Sequence, residues 1–208
     1  MKKKIFFAIA ATVVVKLAIA QATFGVTAGA TLASYKVKVD GYSLGSKMKA
    51  GATIGMLLST NLGKNTWVMP GLNLTMKGGT IKNDAEATTD KVYFGYIEAP
   101  LDVVYHTAAG KGQFFIGGGP SLSYGLFGRY KITGMYEESG DVKFGTGDDA
   151  DLKPFEIGVN ILAGYLFTSG MLISACYDWG LNNVSPTSDA TYHNRYFGIR
   201  LGYMFIKK

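Results

Sequence analysis

The chain has 208 residues, 28 of them glycine, with 13% aromatic and only 17% charged residues, a balance that suits short strands and turns and excludes a long helical domain. Its formal charge of +6 falls to +2 (17 basic against 15 acidic) once Lys2, Lys3, Lys4 and Lys16 of an N-terminal leader are set aside, so the high isoelectric point gives no reason to expect nucleic acid as a partner. The single Cys176 excludes an intramolecular disulfide.

The first element in chain order is that leader. Lys2 to Lys4 form a positive start, residues 5–15 form an apolar run too short to span a bilayer as a helix, and Ala18-Ile19-Ala20 offers a small-x-small cleavage site. These features predict a secretory signal peptide over residues 1–20, cut after Ala20 or, using Ala20-Gln21-Ala22, after Ala22. A single domain is expected over 21–208. No later segment is an uninterrupted apolar run of transmembrane-helix length.

From Phe24 onward the period is two. Strands are predicted at about 24–35, 48–58, 67–77, 92–105, 113–127, 155–167, 171–181 and 196–205. The last three alternate most clearly. In 155–167 the apolar face is Phe155, Ile157, Val159, Ile161, Ala163, Tyr165 and Phe167, while Glu156, Gly158, Asn160, Leu162, Gly164 and Leu166 occupy the other. In 171–181 Met171, Ile173, Ala175, Tyr177, Trp179 and Leu181 oppose Leu172, Ser174, Cys176, Asp178 and Gly180; in the final strand Phe197, Ile199, Leu201, Tyr203 and Phe205 oppose Tyr196, Gly198, Arg200, Gly202 and Met204. With these registers the strand charges Lys49, Lys77, Glu98, Asp102, Glu156, Asp178 and Arg200 all fall opposite the apolar face.

The connections alternate strictly in length. Those around 59–66, 106–112 and 168–170 are tight, and those around 36–47, 78–91, 128–152 and 182–194 are long and polar. Aromatics gather at both ends of the apolar face: Tyr93, Tyr124, Phe155, Trp179 and Phe197 toward the long loops, and Tyr105, Phe114, Tyr165, Phe167, Tyr203 and Phe205 toward the short turns. At a rise near 3.3 Å per residue and a tilt near 40°, the stretch from Phe114 to Tyr124 covers roughly 25 Å, the height of a bilayer's apolar band. Apolar outside, polar inside and aromatic at two levels is the pattern of an all-β, eight-stranded, antiparallel up-and-down transmembrane barrel.

Eight strands enclose a lumen that side chains can fill, so the inward charges need partners within it. Glu98, Asp102, Glu156, Asp178 and Arg200 are expected to form an interior polar network, with Arg200 paired to Glu98 or Glu156, and Lys49 or Lys77 taking another carboxylate. A gated ion path is the sharper alternative. Other constellations favour bland roles. The acidic stretch holding Glu137, Glu138, Asp141, Asp148, Asp149 and Asp151 lacks the spacing of an EF-hand loop and is expected to be a solvated loop. Gly145-Thr146-Gly147 lacks the lysine and helix of a phosphate cradle. His106 and His193 fall at opposite ends and cannot share a centre, and Cys176 is expected to pack rather than react. His193 with Ser185, Ser188 or Asp189 is the one catalytic combination to nominate, so no catalytic, metal or cofactor residue is assigned.

At Tyr96-Ile97-Glu98-Ala99-Pro100-Leu101, Gly117-Gly118-Gly119-Pro120 with Tyr124-Gly125-Leu126, and Asn194-Arg195-Tyr196-Phe197-Gly198-Ile199 through Phe205, the sequence resembles the PorT-like and OmpA/OmpX-like small outer-membrane barrels of Gram-negative bacteria. Ile206-Lys207-Lys208 extend beyond the terminal aromatic with which such chains tend to end. The resemblance implies export, folding by the barrel-insertion machinery and contact with outer-membrane lipids and lipopolysaccharide. It also implies a structural or recognition role in the cell envelope: envelope integrity, adhesion or a secretion accessory. A monomer that is not an enzyme is expected, with its loops open to a surface partner. A narrow channel or a rim-active enzyme acting on lipid or peptide is the alternative.

Overall fold

The computed structural model describes residues 22–39, 41–83, 87–147, 149–187 and 189–206. The leader expected over 1–20 lies outside them. Ten strands follow in order: β1 (Thr23–Val39), β2 (Tyr42–Gly45), β3 (Lys49–Gly63), β4 (Thr66–Asn83), β5 (Thr88–Ala109), β6 (Gly112–Gly134), β7 (Glu138–Val142), β8 (Phe155–Phe167), β9 (Met171–Gly180) and β10 (Ala190–Met204).

Eight of them form the wall. The order runs β1, β3, β4, β5, β6, β8, β9, β10, and β10 returns to pair antiparallel with β1 from Gly25 opposite Met204 to Val39 opposite Ala190. Closure gives each of the eight wall strands a neighbour on both sides, which is the condition for a sheet to sit in hydrocarbon. The Phe205 N–H still donates to the Phe24 carbonyl at 2.8 Å, and the two rings stack across the seam with centroids 5.6 Å apart. Gly29 faces Arg200 at this seam, and a Cβ there would lie 2.0 Å from the Ile199 carbonyl oxygen, so only glycine allows the two strands to approach.

The alternation read from sequence is the alternation of the wall. Ile157, Ile173, Ile199 and Leu201 point outward, Leu201 with 61% of its surface exposed, while Glu156 and Arg200 are 1% and 9% exposed in the interior. At the short-turn end Phe114, Tyr165 and Phe167 pack edge to face on the outer surface, with centroids 4.9 and 4.7 Å apart. The tight turns lie where expected. Gly110 and Gly170 take φ of 57° and 93°, left-handed values that glycine adopts without strain.

All four long segments differ from the loops expected: in 182–194, β10 already begins at Ala190 and residues 190–194 pair with 35–39 of β1. In 36–47, β1 continues to Val39 and β2 folds back on it; 78–91 is mostly the upper β4–β5 ladder, ending at Asn83 opposite Thr88; and in 128–152, β6 continues to Gly134 and β7 pairs with it. Once the apolar band has aligned two strands, each further pair adds backbone hydrogen bonds with no new chain closure, and Thr, Val and Tyr in these stretches suit a ladder. A register shift between Gly95 and Tyr96 leaves Leu126 as an extra residue in β6. This bulge resets the alternation, so Leu126 and Phe127 are both exposed on the wall.

Candidate functional site: a layered barrel interior

The inward side chains form three layers. At the short-turn end Met69, Val104, Phe115 and Leu172 make a buried apolar cluster, joined by Leu57, Leu162 and Leu166. At the long-loop end Phe94, Tyr96, Leu152 and Val184 make a second one, with Val92, Val142, Phe144 and Tyr192 packed against it. Tyr35 stacks on Tyr192 at 4.8 Å, and Phe144 meets Tyr96 edge-on at 5.5 Å. Leu152 and Val184 come from the last two long segments, which therefore fold inward over the mouth.

Between these layers lies the charge. The Lys77 ammonium sits 2.7 Å from Glu156 Oε1, 3.3 Å from Glu98 Oε2 and 3.7 Å from Asp178 Oδ1, with its side chain fully buried. It also donates to Ser123 Oγ at 3.3 Å and lies 4.9 and 5.4 Å from the ring centroids of Tyr96 and Tyr196. Arg200 Nη2 donates to the Tyr196 hydroxyl at 2.9 Å, and that hydroxyl donates to Glu98 Oε1 at 2.6 Å; the direct Arg200 to Glu98 separation is 3.6 Å. The layer holds four carboxylates to two cations, so neutral donors must complete it. Asn160 Nδ2 reaches both oxygens of Asp102 at 3.0 Å, Ser121 Oγ donates to Asp178 Oδ2 at 2.5 Å, and Asn194 Nδ2 donates to Glu156 Oε2 at 2.6 Å. Hydrogen bonds to ionised acceptors are the stronger kind, which is how the barrel interior holds excess negative charge.

All five residues expected in the network, Glu98, Asp102, Glu156, Asp178 and Arg200, stand in this layer. Arg200 takes Glu98, and Lys77 takes Glu156. Lys77 is the hub that sequence reasoning ranked no higher than Lys49, although it is the one lysine deep within a strand on the lumen parity. Asn160, Asn194, Ser121 and Tyr196 went unassigned; their signal is the same parity as the charges. Alternation predicts a polar lumen and carries no signal for the two apolar layers, since Val104, Phe115, Leu162 and Leu172 break that rule on the inside.

Lys49 departs from expectation. It is half-buried at the start of β3, with its ammonium 3.6 Å from the centroid of the outward-facing Tyr93 ring. Thr53 faces Thr75, but Lys47 faces Thr80, one residue short of the same register, and Gly78 opposite Tyr93 offers no side chain in between. The lysine can therefore reach the outer surface. His106, at the short-turn end, lies 3.0 Å from Gln113 Oε1 through Nδ1 and packs between Trp67 and Phe115. His193 approaches the Gly180 carbonyl at 3.3 Å at the other end, while Ser185 Oγ lies 3.2 Å from Thr187 Oγ1; Ser188 is outside the described residues. The acidic stretch is dispersed among separate partners: Glu138 with Tyr130, Asp141 with Arg129, Asp151 with the Lys143 amide. Asp148 lies outside the described residues. Cys176 is buried as a free thiol against Ala33 and Tyr196.

Residues 19–185 match the family described as outer membrane protein β-barrel domain. No curated protein matches the chain. Among solved structures it is similar to the outer membrane protein OprG from Pseudomonas aeruginosa, at 12% identity and a TM-score of 0.50 over 89% of this chain and 96% of that one. Neisserial surface protein A is similar at 15% identity and 0.46, over 88% and 99%. The attachment invasion locus protein Ail of Yersinia pestis, solved with the heparin analogue sucrose octasulfate, is similar at 16% and 0.39, over 88% and 99%. At these identities the likeness to OprG speaks for the fold alone.

Proposed function

This chain belongs to the outer membrane protein β-barrel domain family and is an integral barrel of the bacterial outer membrane, and from that premise we propose that its lumen is closed by its own side chains and that its work is done at its surface. The observation that carries this is the position of Lys77, within 4 Å of three carboxylates, with an apolar layer above and another below. An ion crossing the barrel would have to displace packed aromatics and then dissolve a buried ion cluster, at a cost of several kcal/mol on each count. A surface role follows: envelope integrity, adhesion or a secretion accessory of the PorT-like or OmpA/OmpX-like kind. The paired strand extensions and the segment around 182–194 are the parts offered to partners or to lipopolysaccharide. A non-catalytic role is supported by the separate engagements of His193 and Ser185.

Planar-bilayer recording of the purified protein tests the proposal. The parent should show negligible conductance, and Arg200→Ala should lose stability without opening a defined channel. A reproducible open state in the parent would establish the channel instead.

A further inference from the structure

Just above the apolar wall, β1, β10 and β9 place positive charge on the outward surface. Directly opposed residues of an antiparallel pair share a face. Reading outward along this face, Leu32 stands opposite Phe197, Ser34 opposite Arg195, Lys36 opposite His193 and Lys38 opposite Thr191. On the next strand Tyr177 faces Phe197, and Trp179 faces Arg195. The rows thus pass from aliphatic and aromatic, through an arginine beside an indole, to two lysines one step apart on a single face.

The corner is concave. Lys36, Lys38, Trp179, Leu181, His193 and Arg195 border a groove of about 460 Å³. Lys36, Lys38 and Arg195 are exposed, and among the described residues no ion pair includes them. Arg195 is also held in place: its Nε donates to Ser34 Oγ at 3.0 Å, and among the described residues nothing else engages the two terminal nitrogens, which can form a fork. Trp179 and Leu181, 56% and 54% exposed, supply an apolar floor level with the outer aromatic belt. By contrast, Arg129 on the β6 side already has Asp141 at 3.4 Å.

We propose that this groove binds the phosphorylated sugar headgroup of an outer-leaflet glycolipid, with Arg195, Lys36 and Lys38 on its phosphates and Trp179 and Leu181 against its sugar and upper acyl segments. The site deepens the outer-membrane surface role given above and rests on it. Charge complementarity selects the occupant. Three cations on a lipid-facing wall at headgroup height, with no ion-pair partner among the described residues, meet an anion that shares that interface, and an arginine fork matches a phosphate bidentately. A protein partner in solution would not need the floor to be continuous with the lipid-facing band.

The test uses the full-length mature barrel in neutral detergent, with Trp67→Phe leaving Trp179 as the only indole. Bis-phosphorylated lipid A should change the Trp179 emission saturably, whereas lipid A stripped of its phosphates should bind far more weakly to the same protein. Lys36→Gln, Lys38→Gln and Arg195→Gln together should weaken binding on the order of a hundredfold, each cation near an anionic surface contributing a factor of a few. Removing the same charge at Lys91, Arg129 and Lys131 should leave binding unchanged. Equal binding of phosphorylated and stripped lipid by the parent would overturn the site without recourse to any variant. So would equal losses in the two triple variants, or displacement by millimolar inorganic phosphate at constant ionic strength. Should the Lys36 triple variant keep its heat-modifiable mobility and negligible conductance while binding lipid normally, the site fails and the closed-barrel reading stands.

Discussion

Lys77 shows how much depends on one side chain in a barrel interior. Its ammonium is the common neighbour of Glu98, Glu156 and Asp178, and among the described residues Arg200 supplies the second cation in that layer. Lys77→Met keeps the bulk and removes the charge, leaving three carboxylates to repel one another away from water. We expect a loss of about 3–5 kcal/mol, the usual cost of breaking a buried pair, read as a lower denaturant midpoint for the folded band. Adding Glu156→Gln to Lys77→Met should recover part of it, because one of the orphaned charges is then gone. If the single substitution leaves the midpoint unchanged, the layer is hydrated and the ion cluster is not what closes the barrel. The parity that places Lys77 inside was legible in the sequence. Its choice of three acids from three different strands was not, because partners across a lumen carry no spacing signal.

Among the elements, the seam between β1 and β10 limits folding most directly. These are the most distant strands in the chain, and they meet only when the other six have curved the sheet around. At Gly29 the backbones come so close that a side chain cannot be accommodated. Gly29→Val should therefore block closure, giving a protein that inserts poorly and shows no heat-modifiable band; normal folding of this variant would mean that the strands can part there at little cost. The strand extensions show the complementary lesson. Sequence alternation weakens beyond the apolar band, since above the membrane neither face needs to be greasy, and so 36–47, 78–91 and 128–152 read as loops. Pairing nonetheless continues, because the register inherited from the band already aligns the backbones.

Across the whole molecule, hydrocarbon outside and packed side chains inside exchange the usual roles of surface and core. Envelope fractionation should recover the protein with the outer membrane, and the folded form should migrate anomalously on a detergent gel until boiled. A protein that stays soluble without detergent and shows no shift would contradict the barrel. The interior is arranged as apolar, ionic, apolar from end to end. Such an order is what the proposed sealed lumen requires, since an apolar layer flanks the ion cluster on each side.

By itself the sequence determined the eight strands of the wall, the alternation, the outward face, the belts and the side of the wall on which five charges stand. Each is a local or periodic property: a side chain in a strand has only two faces to choose between, and the solvent on one of them is hydrocarbon. Tertiary structure alone decided that Lys77 rather than Lys49 gathers the carboxylates and that Leu152 and Val184 fold in to cap the mouth. It also set Lys36, Lys38 and Arg195 beside Trp179 in one groove. These depend on which strands face each other across the lumen or meet at the seam, and that follows from the closure and register of the whole sheet, which no single strand encodes.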